Sequence, residues 1–264
     1  MERPGRPDAE VLTAFGVAGA VPVPLSGGRG LTWRAGGVVF RPHGDPTEAA
    51  WKADVLTALR HSTEFRTPRP VATRDGAWLH RGWEASSWLD GATDASRVQD
   101  VIRAGAAFHR AVADLPRPAF LDTTDDPWSR ADRMVWGETP LPPDRTLAEL
   151  AAAFRPVETP AQVIHGDLLG NVLFAADAPP AVFDWAPYWR PAGLGAAIAA
   201  VDAVCWQGVP LEDLGPLGVD VPEWSQLLVR ALAFRIATLV LLGAWDGAAV
   251  EHHRPVVAAV TAAR

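Results

Sequence analysis

Short apolar segments divided by glycine-rich turns open the chain, and longer segments with a three- to four-residue apolar period come after them. Residues 21–25, 30–34 and 37–41 read as strands, separated by Ser26-Gly27-Gly28 and Ala35-Gly36-Gly37. Asp45-Pro46-Thr47-Glu48 then opens a helix through about residue 59. Asp45 caps its free N–H groups, Pro46 suits the first turn and Glu48 complements the dipole. Two further strands are expected over residues 71–73 and 77–83, with Arg74-Asp75-Gly76 as the turn between them.

Residues 84–91 read as a connector, after which the helical period dominates. Val101, Ala104, Phe108 and Val112 mark a helix over residues 98–115, ended by Pro116 and Pro118. Residues 126–137 and 146–154 are shorter helix candidates. From Leu194 onward the pattern predicts two to four helices, punctuated by Pro210, Pro216 and Pro222. The expectation is an α+β chain of two lobes, residues 1–85 strand-rich and residues 86–264 mainly helical, with a small-molecule site between them.

Composition narrows the function classes. The chain has 264 residues, 48% of them hydrophobic and 21% charged, and no solenoid-type repeat or low-complexity tract. A formal charge of −7 argues against a general nucleic-acid binder. Cys205 is the only cysteine, which rules out an intrachain disulfide, and its apolar surroundings suggest a buried structural thiol. Lys52 is the only lysine among 24 basic residues, a bias read first as genome composition. Arg3 and Arg6 precede an apolar run, but Asp8 and Glu10 break the basic region of a signal peptide. The apolar stretch around residues 239–242 lies between Arg235 and Asp246 and is too short to span a bilayer. A cytoplasmic protein with no membrane and no nucleic-acid partner is expected.

The chemistry concentrates in residues 163–184. Val163-Ile164 leads into the polar loop His165-Gly166-Asp167-Leu168-Leu169-Gly170-Asn171, and Asp184 comes after a pair of short strands. As an antiparallel hairpin, strands over residues 172–174 and 181–183 bring their open ends together, so Asn171 and Asp184 become neighbours and Asp167 joins them. Phosphoryl transfer needs such a set. A carboxylate orients the acceptor hydroxyl and takes its proton, the role assigned to Asp167. Hard oxygen donors hold Mg²⁺ on the nucleotide phosphates, the role assigned to Asn171 and Asp184.

On these residues the chain resembles the aminoglycoside phosphotransferase family, whose catalytic loop reads H-G-D-x-x-x-x-N-V-L before a hydrophobic-Asp-hydrophobic metal segment. The form around His165-Gly166-Asp167 and Asp184-Trp185 looks most like an actinobacterial branch of that family. The loop departs in one respect, since only Leu168, Leu169 and Gly170 separate Asp167 from Asn171. The resemblance implies a bilobal protein-kinase-like fold, Mg²⁺, ATP or GTP as co-substrate, and a small-molecule hydroxyl acceptor such as an aminoglycoside, sugar or amino alcohol. It makes His165 a structural residue of the loop. It also places Gly27, Gly28 and Gly30 over the phosphates, and Arg41 where the family carries a phosphate-binding lysine. Glu48 is then the helix glutamate that pairs with that cation, and Lys52 is an alternative phosphate contact. Residues 82–91 resemble the hinge that reads the adenine edge, and His109 is read as a packed helix histidine.

A second triplet, His43-Gly44-Asp45, has no amide at the matching places and reads as a turn and helix cap. Asp122, Asp125, Asp126, Trp206, Trp224 and Trp245 are the candidate acceptor contacts. The rival reading is a kinase-fold pseudoenzyme that binds nucleotide or ligand, motivated by Arg41 and the short loop. A hydrolase is remote, because neither G-x-S-x-G nor H-E-x-x-H occurs.

Overall fold

The computed structural model describes residues 5–26 and 30–262. Its chain divides into two compact units, one of residues 1–92 with 174–183, the other of residues 93–173 with 184–264.

In the first unit, strands β1 (Val23–Pro24), β2 (Trp33–Ala35), β3 (Val38–Pro42), β4 (Leu79–His80) and β5 (Trp83–Ser87) form one antiparallel sheet in the order β1-β2-β3-β5-β4. One sheet face carries Ala35, Val38, Phe40, Trp83 and Ala85 into a core with Val11, Leu12 and Phe15. Those last three come from helix α1 (Ala9–Ala14) and its cap, so the expected break in a signal-like segment is a capped helix, with Asp8 accepting from Val11 N. Helix α2 (Pro46–Ala58) begins as expected, with Asp45 accepting from the Thr47 and Glu48 N–H groups. The sequence pattern suggests a connector where β5 lies. Residues 83–87 instead pair with β3 over their whole length, and Arg41 faces Glu84 across the ladder. No strand forms over residues 71–73, where Thr73 closes a turn through Ala77.

The second unit holds α3 (Val98–Ala111), α4 (Pro127–Val135), α5 (Arg145–Ala152), α6 (Gly193–Trp206), α7 (Trp224–Leu241) and α8 (Gly247–Ala262). Helix α7 packs against α4, α5, α6 and α8 and lies in the middle of the unit's largest core. By length and composition α7 passes as a membrane span, yet 56% of that window is buried within the protein. Two strands, β7 (Ala161–His165) and β10 (Pro187–Pro191), pair antiparallel with Pro187 opposite His165. In sequence, β8 (Val172–Ala175) and β9 (Ala178–Val182) follow β7 as a hairpin turned at Ala176-Asp177, with residues 174–183 assigned to the first unit, and β6 (Ala92–Thr93) completes a three-stranded sheet in the order β6-β8-β9.

Candidate active site

Strand β7 ends at His165 and delivers the polar loop. Small residues let neighbouring elements close on it. A methyl on Gly166 would lie 2.4 Å from the Tyr188 ring, and one on Gly195 of α6 would lie 2.6 Å from the His165 carbonyl oxygen. A methyl on Gly105 of α3 would meet Leu168, which is fully buried behind the loop. The glycine of the triplet is therefore a steric requirement of the Tyr188 ring.

The histidines hold the backbone. His165 N–H donates to His109 Nε2 at 2.9 Å, and His109 Nδ1 lies 3.1 Å from the Ala192 carbonyl oxygen. Since Nε2 accepts, Nδ1 carries the proton and donates to Ala192, which is the neutral tautomer. Burial first, and the neighbouring His165 second, push the His109 imidazole down to about 3. His165 in turn accepts from Asp167 N–H through Nδ1 at 3.1 Å. His43 makes the same contact to Asp45 N–H, also at 3.1 Å, so the two triplets share one turn. They differ in what the aspartate does next.

Asp45 caps α2, whereas the Asp167 carboxylate faces side chains. Its Oδ1 accepts from Arg235 Nη2 at 2.7 Å, and its Oδ2 accepts from Asn171 Nδ2 at 3.1 Å. Asn171 Nδ2 also donates to the Asp167 carbonyl oxygen at 2.7 Å. Those contacts use the amide nitrogen and leave Asn171 Oδ1 as a hard oxygen donor. Asp184 stands just past β9, half-buried, with a positive φ of 51°. Positive φ is uncommon for a residue with a side chain, though aspartate tolerates it better than most, and here it turns the chain from the hairpin into β10. Asn171 Oδ1 and the Asp184 carboxylate are the donors that could hold Mg²⁺. Among the described residues no group of three or more His, Cys, Asp or Glu could hold a metal ion.

Arg235 and Asp202 do not stand out in the sequence. Arg235 Nε donates to Asp202 Oδ1 at 2.8 Å and Nη2 to Asp202 Oδ2 at 2.5 Å. Burial opposes the guanidinium charge, but Asp202 and Asp167 outweigh it and hold Arg235 firmly protonated. The available signal was a charge inside each of two apolar helices, since such charges are almost always paired.

Of the residues expected to contact nucleotide, Gly27 and Gly28 lie outside the described residues, and Gly30 has a φ of 71° with open space where a Cβ would be. Arg41 is half-buried on β3. Glu48 pairs with Lys52 at 3.1 Å, one turn along α2, and lies 3.8 Å from His43 Nε2. Burial would raise the Glu48 carboxyl, but a hydrogen bond from His43 and the Lys52 charge bring it down to about 2.

Five of the six acceptor candidates make polar contacts within the protein. Asp122 pairs with Arg117 at 2.7 Å, and Asp125 with Arg133 at 3.4 Å. Asp126 caps α4. Trp224 Nε1 donates to the Leu214 carbonyl and Trp245 Nε1 to Asp144, whereas Trp206 is 44% exposed. Cys205 is buried as expected, and burial pushes its thiol up to about 12.

Solved structures of other proteins share this fold. The chain is similar over its whole length to an aminoglycoside phosphotransferase structure from Alicyclobacillus acidocaldarius, at 16% identity and a TM-score of 0.62, covering 95% of that protein. A thermostable mutant of aminoglycoside phosphotransferase APH(4)-Ia, in ternary complex with ADP and hygromycin B, matches at 13% identity and a TM-score of 0.58. That match covers 96% of this chain and 97% of that one. Macrolide 2'-phosphotransferase MphH from Brachybacterium faecium matches at 16% identity and a TM-score of 0.51, covering 97% of this chain and 98% of that one. No curated protein sequence matches significantly. The model of the phosphotransferase enzyme family, APH, matches residues 11–201. With that match over most of its length, the chain belongs to the APH phosphotransferase enzyme family, and its α+β architecture is the protein-kinase-like fold of these structures.

Proposed function

We propose that the chain transfers the γ-phosphoryl group of ATP or GTP to a hydroxyl of a small molecule. The observation that carries this reading is the Asp167 carboxylate, exposed over 47% of its side chain and tied at its other end to a buried charge pair. Asp167 would accept the hydroxyl proton and orient the attacking oxygen, and the acceptor oxygen would replace the leaving nucleoside diphosphate on phosphorus. Asn171 and Asp184 would hold Mg²⁺, which when bound would neutralise the nucleotide phosphates. His165 is proposed as the residue that shapes the loop, with Gly27, Gly28, Gly30, Arg41 and Glu48 on the nucleotide side.

The Glu48–Lys52 pair makes Lys52 a second candidate for the phosphate cation beside Arg41. ADP and hygromycin B bound to the APH(4)-Ia mutant support a nucleotide co-substrate and a small hydroxylated acceptor here too. Aminoglycosides, sugars and amino alcohols are the acceptor classes to test, in a cytoplasmic setting. Purified protein with MgATP and a panel of these compounds should release ADP with at least one of them. Asp167→Asn should lower that rate about 10²–10⁴-fold while calorimetry shows unchanged MgATP binding. No ADP from any compound, together with no MgATP binding, would overturn the reading.

A further inference from the structure

We infer that Arg235 is a positioning residue, anchored by Asp202, that sets the direction of the Asp167 carboxylate. The inference rests on the reading of Asp167 as the residue that orients the acceptor hydroxyl. Its warrant is the way the charges are graded from inside to outside. Asp202 is 10% exposed and Arg235 11%, whereas Asp167 is 47% exposed. Asp202 grips the guanidinium through two nitrogens, Nε and Nη2, which fixes its plane. The same Nη2 then reaches outward to Asp167 Oδ1 at 2.7 Å. With Oδ1 held by Arg235 and Oδ2 by the Asn171 amide, rotation about the Asp167 Cβ–Cγ bond would break both contacts.

A purely structural role explains less. Neutralising Asp202 needs one ion pair, and two apolar helices could do without either charge, since buried pairs are often replaceable by hydrophobic residues. The outward arm to Asp167 is the part that packing leaves unexplained. The loop itself offers no substitute. Residues 168–170 are Leu, Leu and Gly, so they carry no cation, and the one that meets Asp167 comes from α7. Arginine suits the task because it stays protonated and can hold two carboxylates in fixed directions at once. A loose phosphoryl-transfer transition state asks for alignment of the attacking oxygen more than for a strong base, so an oriented carboxylate is what the reaction uses.

The test removes both buried charges together. Asp202→Leu with Arg235→Met keeps an apolar interface of similar volume, and Arg235→Lys alone keeps the charge but loses the fork. The probe is ADP release from MgATP, with water as acceptor and with any acceptor the panel identifies. The double variant should melt close to the parent protein, keep its KM for ATP within twofold and lose at least tenfold in kcat. Arg235→Lys should fall between the two. A crystal structure of the double variant should show the Asp167 carboxylate turned from its parent direction. A well-folded double variant with kcat within twofold of the parent, or with Asp167 unmoved, overturns the inference. If the double variant fails to fold, Arg235→Lys decides by the same kcat criterion. If the parent protein neither releases ADP nor binds MgATP, the phosphotransfer reading fails, and the carboxylate's direction still tests the positioning claim.

Discussion

The two His-Gly-Asp triplets are a controlled comparison within one chain. Both close the same turn, with a histidine Nδ1 taking the aspartate N–H, so the triplet codes for backbone shape and nothing further. The residue after each triplet separates them. Pro46 lets the first continue as a helix capped by Asp45, while Leu168 drops into the core and leaves Asp167 to side-chain partners. The backbone behind the second triplet rests on His109, which is buried and held down to about 3, against about 6.5 for an unperturbed histidine. The unfolded chain therefore binds this proton more readily than the folded one, and stability rises with pH. The His109 contribution is complete above about pH 6.5 and is lost as pH falls towards 3, by at most roughly 1.4 kcal/mol per pH unit. Urea unfolding between pH 4 and 7 should show a shallower pH dependence for His109→Gln than for the parent protein. Parallel curves would show that His109 is not the group that titrates.

Elements meet the loop through missing side chains. Helix α6 reaches β7 at Gly195, where a methyl would lie 2.6 Å from backbone oxygen and 2.7 Å from the His109 ring. Backbone cannot rotate away as a side-chain tip can. Gly195→Ala should therefore lower stability by about 1–3 kcal/mol, the usual range for overpacking, and thermal melting would measure it. An unchanged melting temperature would mean that α6 shifts freely. Helices of this kind were the most legible part of the sequence. Asp45-Pro46 and Asp126-Pro127 announce α2 and α4, and both aspartates cap as their position demands. Strands were harder to read. β5 alternates weakly through Trp83-Glu84-Ala85-Ser86-Ser87, and its place in the sheet comes from pairing with β3, a long-range fact. β10 begins and ends in proline, which argues against a strand, yet among the described residues it pairs only with β7 and so tolerates residues that lack an N–H. The loop carrying Asp167 and Asn171 was readable because its residues are consecutive. The charge pair behind it was not, since Arg235 and Asp202 meet only when α6 and α7 pack.

At the scale of the whole molecule, the chain crosses between its units three times, after residues 92, 173 and 183. The returning segment is bonded into the first unit by Arg66. Its N–H donates to the Pro180 carbonyl at 2.8 Å, its carbonyl accepts from Val182 N–H at 2.9 Å, and its Nε donates to the Pro179 carbonyl at 2.9 Å. A fragment of residues 1–92 lacks all three bonds. By circular dichroism it should melt earlier and less cooperatively than the same fragment mixed with a peptide of residues 172–185. Equal melts would show that the first unit is complete without the hairpin. The crossing also bears on how the protein is made. A chain leaving the ribosome usually folds its N-terminal part first, at about 5–20 residues per second. Here the first unit has to wait for residue 183, and by then β7 and the loop with Asp167 have also emerged. Translation thus supplies the last piece of the first unit and Asp167 of the second within the same few seconds.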